Sequence, residues 1–228
     1  MPLRIFTIKI GINRCYLVKD RGAILIDAGG PNKLHVFQKQ FKKLSITPDE
    51  IKLIILTHGD LDHVGSAKDL KELTGAKIAI NDCDKSNFER SVYNFPPGVT
   101  MWGRFLRFFL NPILKTVLPS IPGGVADIVL DENEFSLEEF GISGKIVHTP
   151  GHTKGSVSVV METGDAFVGC MAHNNPPFRF GPGLPIFAED IEMVKKSWES
   201  LLRQNVKMIY PAHGNPFSVD IIKRALAE

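Results

Sequence analysis

The stretch Thr57-His58-Gly59-Asp60-Leu61-Asp62-His63-Val64-Gly65 places two imidazoles and two carboxylates within six consecutive positions, His58 to His63. Immediately before it, Ile51-Lys52-Leu53-Ile54-Ile55-Leu56 is short, apolar and β-branched, which reads as a buried strand with the cluster at its end. Gly59 directly after His58, and Gly65 at the close, predict a tight turn. Imidazole nitrogen and carboxylate oxygen are ligands for zinc, manganese or iron, and a carboxylate-rich mixture can hold more than one ion. A solvated acidic turn with two neighbouring histidines is the competing reading of this stretch taken alone.

The remaining histidines weigh against that competing reading. His148-Thr149-Pro150-Gly151-His152-Thr153-Lys154-Gly155-Ser156 follows one apolar run, and Pro211-Ala212-His213-Gly214 follows another. Of seven histidines, His58, His63, His152 and His213 all sit in glycine-containing turns after strands, a placement that scattered core or surface histidines have little reason to share.

Bulk properties narrow the function classes. A length of 228 residues with no Ser/Gly-rich or charge-rich linker predicts one domain over residues 1–228. Lys+Arg 27 against Asp+Glu 25 is too balanced for nucleic-acid binding to be the main task, so a small-molecule substrate is expected. Met1-Pro2-Leu3-Arg4-Ile5-Phe6 lacks a basic region followed by an apolar core and a cleavage site, which makes a cytoplasmic location the expectation. Cys15, Cys83 and Cys170 are odd in number and show no pairing pattern, which argues against a disulfide framework.

Along the chain, Leu3 to Ile10, Cys15 to Val18 and Ala23 to Ile26 read as a β-meander ending in Asp27-Ala28-Gly29-Gly30. A helix over Pro31 to Leu44 follows, with Leu34, Phe37, Phe41 and Leu44 on one face and His35 exposed. Ser66 to Thr74 reads as a helix closed by Gly75, then Lys77 to Ile80 as a strand. Strands are expected at Lys145 to His148, Ser156 to Met161, Asp165 to Gly169 and Val206 to Tyr210, with a helix at Ile191 to Gln204. This alternation is an α/β pattern. Between about residues 92 and 124 lies an apolar insertion crowded with Met101, Trp102, Phe105, Leu106, Phe108, Phe109 and Leu110. Arg104, Arg107, Pro112 and Lys115 break it well short of the ~20 apolar residues of a membrane span. A buried helix, a lid over an active site and a membrane-surface patch are its three readings.

These motifs, in this order, resemble those of the metallo-β-lactamase-fold superfamily, whose signature is His-x-His-x-Asp-His followed by a lone His, an acidic or Cys ligand, and a final His. The resemblance covers most of the chain: the strand-end Asp27, the Thr57–Gly65 segment, the Thr-Pro-Gly-His turn with His152, the Gly169-Cys170 step and the Pro-Ala-His-Gly turn with His213. It implies a four-layer αββα sandwich, two mixed sheets flanked by helices, with the site where strand-end loops converge. Carried over, two divalent ions would be bound, one by His58, Asp60 and His152. The other would be bound by Asp62, His63 and His213, with Cys170 beside it. Asp27 would orient a ligand His, since a ligating imidazole usually donates its other N–H to a carboxylate.

Two positions depart from the family pattern. Asp60 stands where a second His is usual, making that site harder and drawing it toward manganese or iron; Cys170 stands where most of the family's hydrolases have a bridging Asp, and thiolate favours zinc. Zinc is the expected ion, with manganese and iron as alternatives. A Cys there resembles the true β-lactamases, but their substrate-binding Lys three residues on is replaced by His173. That argues against lactam hydrolysis and leaves His173 as a substrate contact, an orienting group or an exposed loop residue. The implied activity is that of a metallo-hydrolase. Metals lower the pKa of water to roughly 7, and the hydroxide, oriented by Asp62, attacks an ester, thioester, lactone or amide. Trp102 and Phe105 of the insertion are the expected apolar substrate contacts. The alternatives are a di-iron-type oxidoreductase, since such members carry an acidic residue at the position of Asp60, and a catalytically silent metal-binding module.

Overall fold

The computed structural model describes residues 3–90, 96–117 and 123–227, side chains of 113–117 excepted. The first half runs β1 (Arg4–Ile10), β2 (Asn13–Lys19), β3 (Ala23–Ile26), α1 (Leu34–Leu44), β4 (Ile51–Ile55), α2 (Leu61–Val64), α3 (Ala67–Thr74), β5 (Lys77–Asn81), α4 (Asp82–Arg90), α5 (Met101–Val117) and β6 (Ile128–Leu130). The second half runs β7 (Phe135–Ser136), β8 (Gly144–His148), β9 (Val157–Met161), β10 (Asp165–Phe167), β11 (His173–Asn174), α6 (Ile191–Leu202), β12 (Met208–Tyr210), β13 (His213–Gly214), β14 (Phe217–Ser218) and α7 (Asp220–Ala227). One sheet has the order β1-β2-β3-β4-β5-β6, antiparallel up to β3 and parallel from β3 to β6. The other has the order β14-β12-β10-β9-β8-β7, and only its β10–β12 pair is parallel.

Both sheets are mixed, and the period of two along their strands separates three apolar layers. Leu25, Ile54 and Ile78 face one way and pack with Phe37 and Phe41 of α1 and Leu70 of α3. Their neighbours Ile24, Ile26, Leu53 and Ile55 face the other way and meet Val157, Val159 and Phe167 of the second sheet. On the far side of that sheet, Val160, Ala166 and Ile209 pack under Val194, Trp198 and Leu201 of α6. Strands buried on both faces read as continuous apolar runs, which is why β4 and β9 lack polar alternation. The result is the four-layer αββα sandwich expected from the sequence.

Some boundaries move, for local reasons. The turn between β1 and β2 is only Gly11–Ile12, with Gly11 at φ 61 as a two-residue II′ hairpin requires at its first position, so Asn13 and Arg14 belong to β2. Asn32 takes φ 59, so residues 31–33 form a turn and α1 begins at Leu34. Polar or very short elements, among them α4, β6, β13 and α7, carry no apolar period long enough to have been anticipated.

The apolar insertion forms α5, while residues 92–95 and 118–122 lie outside the described part. One side of the helix is tied down. Gly103 is buried against the 183–188 loop, where a Cβ would lie 2.3 Å from the Ile186 carbonyl oxygen, and the Trp102 Nε1 donates to the Pro177 carbonyl at 2.7 Å. Its other side faces outward, with Met101 88% and Phe108 76% exposed, and the rings of Trp102, Phe105 and Phe109 cover one another at 5.5 and 4.8 Å. Expected as a buried helix, a lid or a membrane-surface patch, the segment is thus a surface helix with a largely exposed aromatic face. Among the described residues no helix is long and apolar enough to cross a membrane.

Trp198 is fully buried, and its Nε1 donates to the Met171 carbonyl at 3.0 Å, tying α6 to the turn that carries Cys170. Trp198→Ala should cost about 3–5 kcal/mol in denaturant unfolding, while Phe108→Ala on the exposed face of α5 should stay within about 0.5 kcal/mol. Equal losses would place Phe108 in the core.

Candidate metal centre

The centre is assembled around Asp27, at the end of β3. Its backbone N–H donates to the Ile55 carbonyl at 2.8 Å, and it takes φ 61, a conformation short polar residues tolerate better than most. The carboxylate receives Thr57 N–H at 2.8 Å, Thr57 Oγ1 at 2.9 and 3.0 Å, and His63 Nδ1 at 2.9 Å. A carboxylate only accepts, so the His63 proton is on Nδ1 and Nε2 faces Cys170 Sγ at 3.3 Å. Thr57 gives its one hydroxyl proton to Asp27 and therefore accepts from His58 Nδ1 at 3.0 Å, leaving His58 Nε2 as an acceptor. That atom is buried and has no hydrogen-bond partner.

His152 reaches the same state by another route. Its Nδ1 lies 2.9 Å from the Phe187 carbonyl, which can only accept, so its Nε2 also turns a lone pair inward. Both lone pairs meet one carboxylate oxygen, Asp60 Oδ2, 3.5 Å from His58 and 3.3 Å from His152. Three buried acceptors facing one another repel unless a cation lies among them. The residues therefore fit a metal ion by their donor chemistry.

Cys170 Sγ completes two ligand groups, one with His58 and His152 and one with His63 and His213. Its sulfur therefore stands close to both sets of imidazoles. Asp62 Oδ2 stands 3.7 Å from His63 Nε2 and 3.4 Å from His213 Nε2 and accepts from Asn13 Nδ2 at 2.9 Å. The thiol's position rests on Gly169, at φ 51, where a Cβ would come within 2.5 Å of Thr57 Oγ1.

The charges interlock. Burial pushes the Cys170 thiol up, but the surrounding imidazoles of His63, His213, His152 and His58 reverse this and hold it well below the usual thiol range. Burial also pulls His213 down, yet Cys170 and Asp62 raise it to about 9. Asp62 lies below the ordinary carboxylate range because His63 and His213 outweigh its desolvation. In the absence of metal, protons on imidazoles occupy the role a cation would take.

An apolar cavity of about 350 Å³ opens above the cluster, with Asp60, Asp62, His152, Cys170, His173 and His213 contributing to its lining. His173 is buried rather than exposed; its ring lies tilted against Phe178, centres 5.1 Å apart, and it pairs with His213 across β11 and β13. Burial pushes it down to about 4, so it is neutral at pH 7. Among the described residues of the insertion, Pro96 and Leu110 reach the wall; Trp102 and Phe105 are not among the lining residues.

The metallo-β-lactamase superfamily model matches residues 9–213. The chain belongs to that superfamily. A Beta-lactamase-like protein 2 homolog of Drosophila melanogaster is 31% identical over 207 residues, 90% of this chain, which spans 59% of that protein's length. A hydroxyacylglutathione hydrolase of Haemophilus influenzae is 29% identical over 163 residues, 70% of this chain and 66% of the relative. An archaeal metallo-β-lactamase superfamily protein of Sulfolobus tokodaii, 21% identical, superposes with a TM-score of 0.69 over 98% of this chain and 84% of its own.

Three supports of this metallo-β-lactamase-type centre escaped the sequence. Asn13 lay in an apparent turn, and its amide also donates to the Asp62 carbonyl at 2.7 Å. Buried Asp84, at the start of α4, accepts from Gly59 N–H at 2.9 Å and Thr153 Oγ1 at 2.7 Å, tying the His58 and His152 turns together. The Phe187 carbonyl is backbone and carries no sequence signal.

Asp27→Asn would set an amide N–H against the His63 Nδ1–H and favour the other tautomer. Metal affinity, read by competition with a chromophoric chelator, should fall about 10–100-fold, and unchanged affinity would remove Asp27 from this orienting role.

His213 supplies a pH signature. Its folded pKa of about 9 lies above the unfolded value of about 6.5, so its stabilisation of the metal-free chain is full below about pH 6.5 and is lost as pH rises through 9. A metal displaces such protons, so the metal-induced gain in Tm should grow over the same interval. Calorimetry in buffers of different ionisation enthalpy should detect proton release on metal binding at pH 7, and none would contradict this charge assignment.

Proposed function

We propose that this protein is a metal-dependent hydrolase acting on a carbonyl bond of a small molecule, an ester, thioester, lactone or amide. The observation that carries the reading is the convergence of inward-facing imidazole lone pairs, one buried carboxylate and a buried cysteine close to both sets, at the base of an apolar cavity. Once metal displaced the imidazole protons, Asp27, Asp60, Asp62 and the Cys170 thiolate would be four negative charges among neutral imidazoles, which two divalent ions would balance. His58, Asp60 and His152 would hold one ion and Asp62, His63 and His213 the other, with Cys170 between them. A thiolate common to both sites favours zinc over manganese or iron.

Ions held there would supply a water of pKa near 7 and polarise the carbonyl. Asp62 then accepts a hydrogen bond from the attacking water. Its side chain remains 43% exposed while Asp60 is buried, and Asn13 holds it in place. His173, neutral and in the cavity wall, is placed to donate to the substrate or its leaving group. The hydrolase named among the relatives supports the reaction class and leaves the substrate open.

Protein purified without added metal should carry two transition-metal ions per chain by elemental analysis and should hydrolyse activated esters until a chelator is added. Asp62→Asn should lower kcat/KM by roughly 10²–10⁴-fold. Absence of metal, together with no rise in Tm on adding zinc, manganese or iron, would sink the reading.

A further inference from the structure

The cavity's polar groups are confined to its floor. Above the ligand cluster and His173 the wall is built from Ile12, Leu61, Pro96, Leu110, Phe178 and Phe187. Among the described residues, no Lys or Arg lines the cavity. Arg179, next to Phe178, donates to the Leu184 carbonyl at 3.5 Å and is not part of the lining. Of the residues whose side chains are not described, only Lys115 carries a cationic side chain.

A carboxylate at the far end of an acyl chain, held against that wall and away from the floor, would lose its water without gaining a partner there, a cost far above that of burying a methylene group. An apolar chain meets the opposite situation, since each buried methylene contributes about 0.8 kcal/mol, or about fourfold in binding. A volume of about 350 Å³ lies at the small end of ligand pockets, so the gain should stop after a few carbons.

From this we infer that the substrate presents an uncharged, apolar acyl group to the cavity, and that acyl groups bearing a carboxylate are excluded. The inference rests on the hydrolase reading for its chemistry and on the cavity wall for its selectivity.

The test uses the zinc-loaded full chain and two ester series with a common leaving group, n-acyl esters of rising length and their ω-carboxylated counterparts. Expected is a rise in kcat/KM of about fourfold per methylene until the cavity is full, with a terminal carboxylate costing at least about a hundredfold at equal length. Leu110→Lys, at a half-buried wall position, should narrow the carboxylate penalty by about tenfold or more with zinc content unchanged. Equal or faster turnover of carboxylated esters, or no dependence on chain length, overturns the inference while leaving the hydrolase reading intact.

If neither series is hydrolysed, calorimetric binding of methyl n-alkyl ketones and the matching keto acids separates the two. Affinity that climbs with chain length for ketones and is lost for keto acids keeps the acyl selectivity and discards hydrolysis. A flat ketone series, or tight keto-acid binding, discards the selectivity as well.

Discussion

A buried carboxylate cannot stably face two imidazole lone pairs without a cation among them, and at Asp60 the fold enforces this contact. Each imidazole is fixed by a hydrogen bond on its far side, His58 through Thr57 and His152 through the Phe187 carbonyl. Neither ring can rotate away without orphaning a buried donor, at a cost of about 1–3 kcal/mol. The demand for positive charge is therefore built into the scaffold, and protons can meet it when metal is absent.

Backbone strain beside this cluster falls on Asp27, at the end of β3. Asp27 holds φ 61 because its N–H is pinned to Ile55 and its carboxylate gathers donors from both Thr57 and His63. A sparsely populated conformation of this kind costs on the order of 1–3 kcal/mol and persists only where the surroundings over-determine it. The parallel pairing of β3 with β4, continuous from Ile24–Leu53 to Ile26–Ile55, brings the two strand ends level, so that one carboxylate can serve both.

The four converging histidines were legible because they recur in one local context, a strand ending in a glycine-containing turn, and that context is a property of a few adjacent residues. The alternation of strands and helices was legible in the apolar runs, whereas the four layers came from the family resemblance, with which the doubly buried β4 and β9 agree. Partners joined across long separations were not legible. Asn13 meets Asp62 over 49 residues and Asp84 meets Thr153 over 69, and no periodicity reports such pairs. Composition marked the 92–124 insertion as apolar, but it does not give direction. Gly103 sets which side of α5 lies against the 183–188 loop, so Leu110 reaches the cavity while Trp102 and Phe105 remain half exposed.

Apolar walls over a charged floor also bear on how the floor works. Low-dielectric surroundings strengthen every interaction among the imidazoles, carboxylates and thiolate, and they leave fewer waters to compete for the same groups. Asp60 and Cys170, deeply buried, are suited to holding charge in a fixed place. Asp62 differs, because its partly exposed carboxylate can exchange hydrogen bonds with a mobile water while Asn13 keeps it aligned. Burial thus separates chemically similar groups: Asp60 is enclosed among imidazoles, while Asp62 keeps part of its carboxylate open to the cavity.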